Sequence, residues 1–171
     1  MLRIVTDSSS EISQEEAKRL NIDVLPLTIV FGNEQYRDGI DITSDEFYNK
    51  LVSSPEFPHT AQLGYDELMG LYADAKEKGD EVLVIPIASA LSGSFDWAER
   101  AAKESGYDKI TVYDSKCTTF MLEILVREAV RLRDKSAAEV IAALDELRPR
   151  IVLFAALDTL EYLKRGGRIN K

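Results

Sequence analysis

The chain has 171 residues, about one domain in length, and its 45% apolar content is enough to build a packed core. A formal net charge of −9 argues against nucleic acid and anionic membrane surfaces as partners, since both select local positive charge. Cys117 is the only cysteine, which excludes an internal disulfide and fits a reducing compartment.

In chain order, "LRIVT" (2–6) predicts a strand. Ser13 and Glu16 stand at capping-box spacing ahead of Ala17 and Leu20 and predict a helix. "DVLPLTIVF" (23–31) reads as one further strand, with Pro26 marking an edge or a bulge. "GNEQYRDG" reads as a hairpin or tight excursion, with Gly32-Asn33 and Asp38-Gly39 as turn signals. Thr43 and Glu46 repeat the capping-box spacing before "FYNKLV". The stretch 53–67, with two prolines and a glycine, is the most irregular.

A helix through Leu68, Leu71, Tyr72 and Ala75 follows and ends near Gly79. Val82–Ile87 predicts a buried strand. Behind it Ser89, Ser92, Gly93 and Ser94 lead into a helix whose Phe95, Ala98, Ala101 and Ala102 share one face. "KITVYD" is another strand, and "FMLEILVREAVRL" is a helix apolar on most sides, expected to be largely buried. Ser136 and Glu139 cap a further helix, and "IVLFAALD" (151–158) predicts the last strand. No apolar run approaches the length of a membrane span. "MLRIVTDSSS" reaches charge and hydroxyls too early for a secretory leader, so the cytoplasm is the expected compartment.

Strands alternating with helices of ten or more residues predict an α/β fold: a mainly parallel sheet sandwiched by helices. In open α/β sheets, ligands sit beyond the carboxyl ends of the strands. Those ends carry "TDSSSE", "ASALSGS" and "YDSKCTT", and the irregular loop adds "PHTAQ". A rim of hydroxyls and helix N-terminal amides suits an anionic group. Ser, Thr and Asp are also ordinary N-caps, and capping is the preferred reading of "TDSSSE" and "YDSK" taken singly. "LSGSF" holds more hydroxyls than one cap needs, so Ser92 is favoured as a ligand contact, with Ser89 and Ser94 level between the two roles.

Familiar chemistries fit poorly. No Walker loop and no G-x-G-x-x-G after a strand is present. One histidine and one cysteine do not make a zinc site, so no metal and no cofactor are expected. A serine hydrolase would need Ser92, His59 and an acid such as Asp114 to converge, yet Ala90 stands where a nucleophile elbow needs glycine. Cys117 reads as a small buried apolar side chain before it reads as a reactive thiol.

"TDSSSEI", "PLTIVFG", "PHTAQ", "IASALSGSFDWA", "VYDSK" and "TLEYLKRGGRI" occur in the order and approximate spacing of the DegV family, which the whole chain resembles. These are bacterial fatty-acid-binding proteins, including the FakB partners of fatty acid kinase. The resemblance implies a lipid-binding protein rather than an enzyme. It would bind one long-chain fatty acid by its carboxylate and present it to the kinase, which supplies the ATP. By motif position the carboxylate contacts fall on Thr60, on Ser92 with Gly93, and close to Arg168; Ser8, Ser89 and Ser115 are secondary candidates. Two hydroxyl donors and loop amides can satisfy a carboxylate without burying a fixed cation beside an apolar tunnel.

His59 and Ala61 depart from the threonine and serine that this loop often carries in the family. Family members also continue for roughly another hundred residues, about one small domain. The expected organisation is therefore a DegV N-terminal lobe over 1–148, with 149–171 as the first strand and helix of a second lobe otherwise missing. Weak or absent binding is expected of an isolated monomer, and a homodimer would cover the exposed tunnel wall. The rival functions are the Ser92/His59 hydrolase and a non-binding interaction or regulatory remnant.

Overall fold

The computed structural model describes residues 1–61 and 63–169; Gln62 of the "PHTAQ" motif, Asn170 and the basic Lys171 lie outside the described residues. Four strands form a parallel sheet in the order β2-β1-β6-β7, made of β1 (Leu2–Asp7), β2 (Asp23–Leu25), β6 (Glu81–Ile85) and β7 (Ile110–Val112). A second, antiparallel sheet has the order β4-β3-β5, from β3 (Thr28–Phe31), β4 (Glu34–Arg37) and β5 (His59–Ala61).

The parallel sheet is buried on both sides, and β6 shows why. Val82, Leu83, Val84 and Ile85 are all within 1% of full burial, and the pleat sends alternate side chains to opposite faces. Leu83 and Ile85 join Leu2 and Ile4 under α5 (Thr119–Arg131) and α6 (Ala137–Leu147) through Leu122, Leu125, Val126, Val140 and Leu144. Val82, Val84 and Val5 pack on the other face against Leu68, Leu71, Tyr72 and Ala75 of α3 (Tyr65–Lys78) and Ala98 and Ala101 of α4 (Ser94–Ser105). Each such fully buried side chain contributes roughly 1.5–3 kcal/mol, which makes this sandwich the main source of stability.

Local chemistry sets the helix starts. Ser13 caps α1 (Gln14–Leu20) by accepting the Glu16 N–H at 3.1 Å. Thr43 at the head of α2 (Ser44–Ser53) and Ser136 at the head of α6 each form a reciprocal capping box, with Glu46 and Glu139. The Glu46 carboxylate accepts the Thr43 N–H at 2.8 Å, which holds it below the usual carboxylate range. The β3–β4 turn places Gly32 at φ 57°, a left-handed conformation that glycine adopts without steric cost.

Three expectations need correction. The single strand read over 23–31 is two strands in two sheets: the chain leaves the parallel sheet after Leu25, steps through Pro26-Leu27, and enters the antiparallel sheet at Thr28. Proline has no N–H to continue the first ladder, so the step falls there. Helix α5 is buried on one side only, with Phe120 61% and Ile124 43% exposed. Finally, among the described residues no strand follows β7. Residues 151–158 run without a ladder partner, and Val152, Phe154 and Leu157 are exposed. An apolar run supplies the side chains of a strand, but a strand exists only with a neighbour to pair its backbone. The short helix α7 (Glu161–Arg165) comes after it.

Candidate functional site

The end of β1, the β2–β3 step, α2 and β5 line an open cavity of about 260 Å³. Ser8, Ser9, Ser44 and Thr60 bring hydroxyls to it, and Leu27, Ile29, Phe47 and Tyr48 give it an apolar wall. Strand pairing sets this arrangement. Thr60 lies opposite Ile29 in the β3–β5 ladder, which puts one hydroxyl and one aliphatic side chain at the same level of the wall. Ser8 accepts the Leu27 N–H at 3.1 Å and so ties the end of β1 to the step between the sheets. Glu11 and Asp38 stand at the rim; partial desolvation first, then Asp38 and Glu123, push the Glu11 carboxyl up.

Ser92 and Gly93 occupy a different position, at the head of α4, and do not line this cavity. The Ser92 hydroxyl oxygen accepts the Ser94 N–H at 3.3 Å and lies 2.9 Å from the Ser94 hydroxyl. Gly93 has φ −73°, a conformation open to any residue. The loop that leads to Ser92 is nonetheless anchored to the cavity. Asp7 is fully buried and accepts the Ile87 N–H at 2.8 Å, the Ser9 N–H at 3.0 Å and the Ser9 hydroxyl. One carboxylate thus joins the Ser8-Ser9 edge of the cavity to the start of the 87–92 loop. Burial pushes Asp7 up, against those hydrogen bonds and with Asp38 adding to the shift. Asp7 fills the cap role expected within "TDSSSE" through Ser9, whereas its bond to Ile87 is one that no local spacing signals.

The remaining candidates serve their own turns. Ser89 donates its hydroxyl to Asp114 at 2.7 Å and its N–H at 3.0 Å. Burial works against ionisation of Asp114, but the bonds from Ser89 and Lys116 outweigh it and hold the carboxyl below its ordinary range. Ser115 is buried, accepting the Cys117 N–H at 3.1 Å and donating to the Cys117 carbonyl at 3.2 Å. Arg168 is exposed and donates to the Gly166 carbonyl in its own turn. The hydrolase constellation does not assemble among the described residues: His59 is exposed on β5, Asp114 is bonded to Ser89, and Ser92 is bonded to Ser94. Among those residues, too, no group of three His, Cys, Asp or Glu side chains is placed to hold a metal ion.

A cation and two aromatic rings flank the loop before Thr60. Phe57 stacks on Tyr162 of α7 with ring centroids 6.1 Å apart and planes 21° from parallel. The Arg165 guanidinium lies 4.2 Å from the centroid of the same Phe57 ring.

The family model described as uncharacterised proteins of the DegV family matches residues 1–171. The chain belongs to the DegV family. It is 34% identical over 173 residues to a DegV domain-containing protein of Clostridium acetobutylicum, covering 99% of this chain and 61% of that one. It is 36% identical over 170 residues to a DegV domain-containing protein of Staphylococcus aureus, covering 98% of this chain and 60% of the other. Among solved structures it is similar to a DegV family protein from Thermus thermophilus described by its fatty acid binding. That match has a TM-score of 0.86 at 33% identity and covers 98% of this chain and 60% of that one. It is also similar to a stearic-acid-binding protein from Eubacterium ventriosum, with a TM-score of 0.84 at 31% identity, covering 100% and 61% of the two chains. The chain thus spans about three-fifths of the length of these DegV relatives. No described helix is long and apolar enough to cross a membrane.

Proposed function

We propose that this protein binds a long-chain fatty acid by its carboxylate, with Thr60 as the principal hydroxyl donor. The observation that carries this reading is the cavity in which Thr60 and Ser8 face an apolar wall of Leu27, Ile29, Phe47 and Tyr48. Fatty-acid binding by the similar DegV proteins from Thermus thermophilus and Eubacterium ventriosum supports it. A carboxylate at Thr60 keeps its hydrogen bonds while the first methylenes leave water, each worth about 0.8 kcal/mol. The cavity is smaller than the roughly 300–1,000 Å³ usual for ligand pockets, so it takes only part of a long acyl chain.

In this proposal Ser92 and Gly93 approach the head group through the loop that Asp7 anchors, and Arg168 stands at the mouth. Residues 1–148 form the head-group lobe, and 149–171 begin a second lobe that covers the rest of the acyl chain. The protein is a carrier in the cytoplasm rather than an enzyme, and it presents the carboxylate to a fatty acid kinase. A homodimer is the alternative cover for the acyl chain.

Laurate, which reaches millimolar concentration, tests the site by NMR titration. Saturable shifts at the Ser8, Ile29 and Thr60 amides are expected, and Thr60→Val should weaken binding about 10-fold or more, the loss of a hydrogen bond to a charged group. Labelling of Ser92 by a fluorophosphonate probe is not expected. Saturable binding that ignores Thr60→Val, or shifts confined to other surfaces, would overturn the assignment.

A further inference from the structure

Helix α7 touches the loop before β5 through Tyr162 and Arg165. These residues are three apart on the helix and therefore share one side. Both engage the same ring, Phe57, by stacking and by a cation–π contact. Phe57 belongs to the loop between α2 and β5, and the residues directly after it, Pro58, His59 and Thr60, line the cavity. The strand they enter is only three residues long, lies at the edge of its sheet, and exposes all three side chains. A strand so short has little of its own to hold its register. Pro55 and Pro58 on either side of Phe57 limit the backbone, so fixing the ring also fixes the entry into β5.

We infer that Tyr162 and Arg165 are positioning residues for Thr60: they clamp Phe57 and so hold the cavity edge of β5 in register with Ile29. The inference rests on the head-group reading of Thr60 for its functional meaning, but the clamp itself does not depend on any ligand. It gives the "LEYLKRGGR" segment a task within the fold. Arg165 is the cation of this segment that reaches the loop, whereas Arg168 bonds within its own turn. Neither Tyr162 nor Arg165 reaches the cavity, so they act through Phe57.

Amide hydrogen exchange on the ligand-free full chain tests the clamp directly. Phe57→Ala should accelerate exchange at those amides of 59–61 that bond to β3, which alternate along an edge strand, by about 5- to 30-fold, the range expected for losing an aromatic pair with its cation–π partner. Tyr162→Ala loses the aromatic pair alone and should accelerate the same amides by about 2- to 12-fold. Arg165→Ala should give a smaller acceleration at the same amides. Tyr162→Phe keeps the ring and should restore the wild-type rates. Amides of β1 and β6 should keep their rates in all four variants, since α7 lies outside the main core. Unchanged exchange at 59–61 in Tyr162→Ala, or equal acceleration across β1 and β6, would overturn the inference. Laurate titration of the same variants and of Thr60→Val separates the two proposals. If the clamp controls exchange while laurate binding ignores Thr60→Val, the positioning role stands and the head-group reading of Thr60 falls.

Discussion

The Asp7 carboxylate accepts the backbone N–H of Ile87 at 2.8 Å and so fastens the carboxyl ends of β1 and β6 to each other beyond their ladder. Removing it leaves that partly buried donor, and the Ser9 N–H, without a protein partner. Asp7→Ala is therefore expected to lower stability by about 2–3 kcal/mol in urea denaturation.

The same residue has a pH signature. Because burial pushes the Asp7 carboxyl up, the folded protein holds this proton more tightly than the unfolded chain does. Its contribution is full below the ordinary Asp value of about 3.9 and is lost as pH rises through the folded value. Wild type should accordingly lose stability relative to Asp7→Asn, which cannot ionise, as pH rises from about 4 towards neutrality. A wild type that holds or gains stability relative to Asp7→Asn over that range would contradict the assignment.

The two faces of α5 should respond oppositely to truncation. Leu125 is fully buried, and Leu125→Ala is expected to cost about 2–5 kcal/mol. Phe120 is 61% exposed on the same helix, and Phe120→Ala should stay within about 0.5 kcal/mol of wild type. Chemical denaturation of both variants checks this, and comparable losses would mean that the exposed side is packed in solution.

What the residues reveal on their own divides along the range of the interactions involved. Thr43 with Glu46, and Ser136 with Glu139, are complete devices within four residues, and both capping boxes are present. The alternation of Leu83 and Ile85 against Val82 and Val84 likewise carries its own two-sided burial. By contrast, nothing within 23–31 says that Leu25 and Thr28 pair with different sheets, because both halves are equally β-prone. The run 151–158 has the composition of a strand, but pairing is a property of two segments and composition describes one. Thr60 is singled out only by its motif. The cavity around it depends on Phe47 and Tyr48 of α2, whose approach to β5 no spacing encodes. The tie from Asp7 to Ile87 links distant parts of the chain and was hidden for the same reason.

Cys117 offers a check on the interior near Ser115. It is 3% exposed, and burial pushes its thiol up, so little thiolate is available to react. Alkylation by iodoacetamide at mildly alkaline pH should be at least about 100-fold slower than in the urea-unfolded chain, limited by opening of the core. Rapid modification of the native protein would show that this end of the sheet opens readily.

The step at Pro26-Leu27 divides the molecule into two regimes with different tolerance for change. The parallel sheet, filled on both faces, bears the thermodynamic burden, whereas Ile29, Phe47 and Tyr48 shape the cavity from the smaller antiparallel side. Ile29 is buried with Phe31 and Ile42 in a cluster separate from the two that pack the parallel sheet. Damage to that smaller cluster would deform the cavity before it reached the frame that holds it.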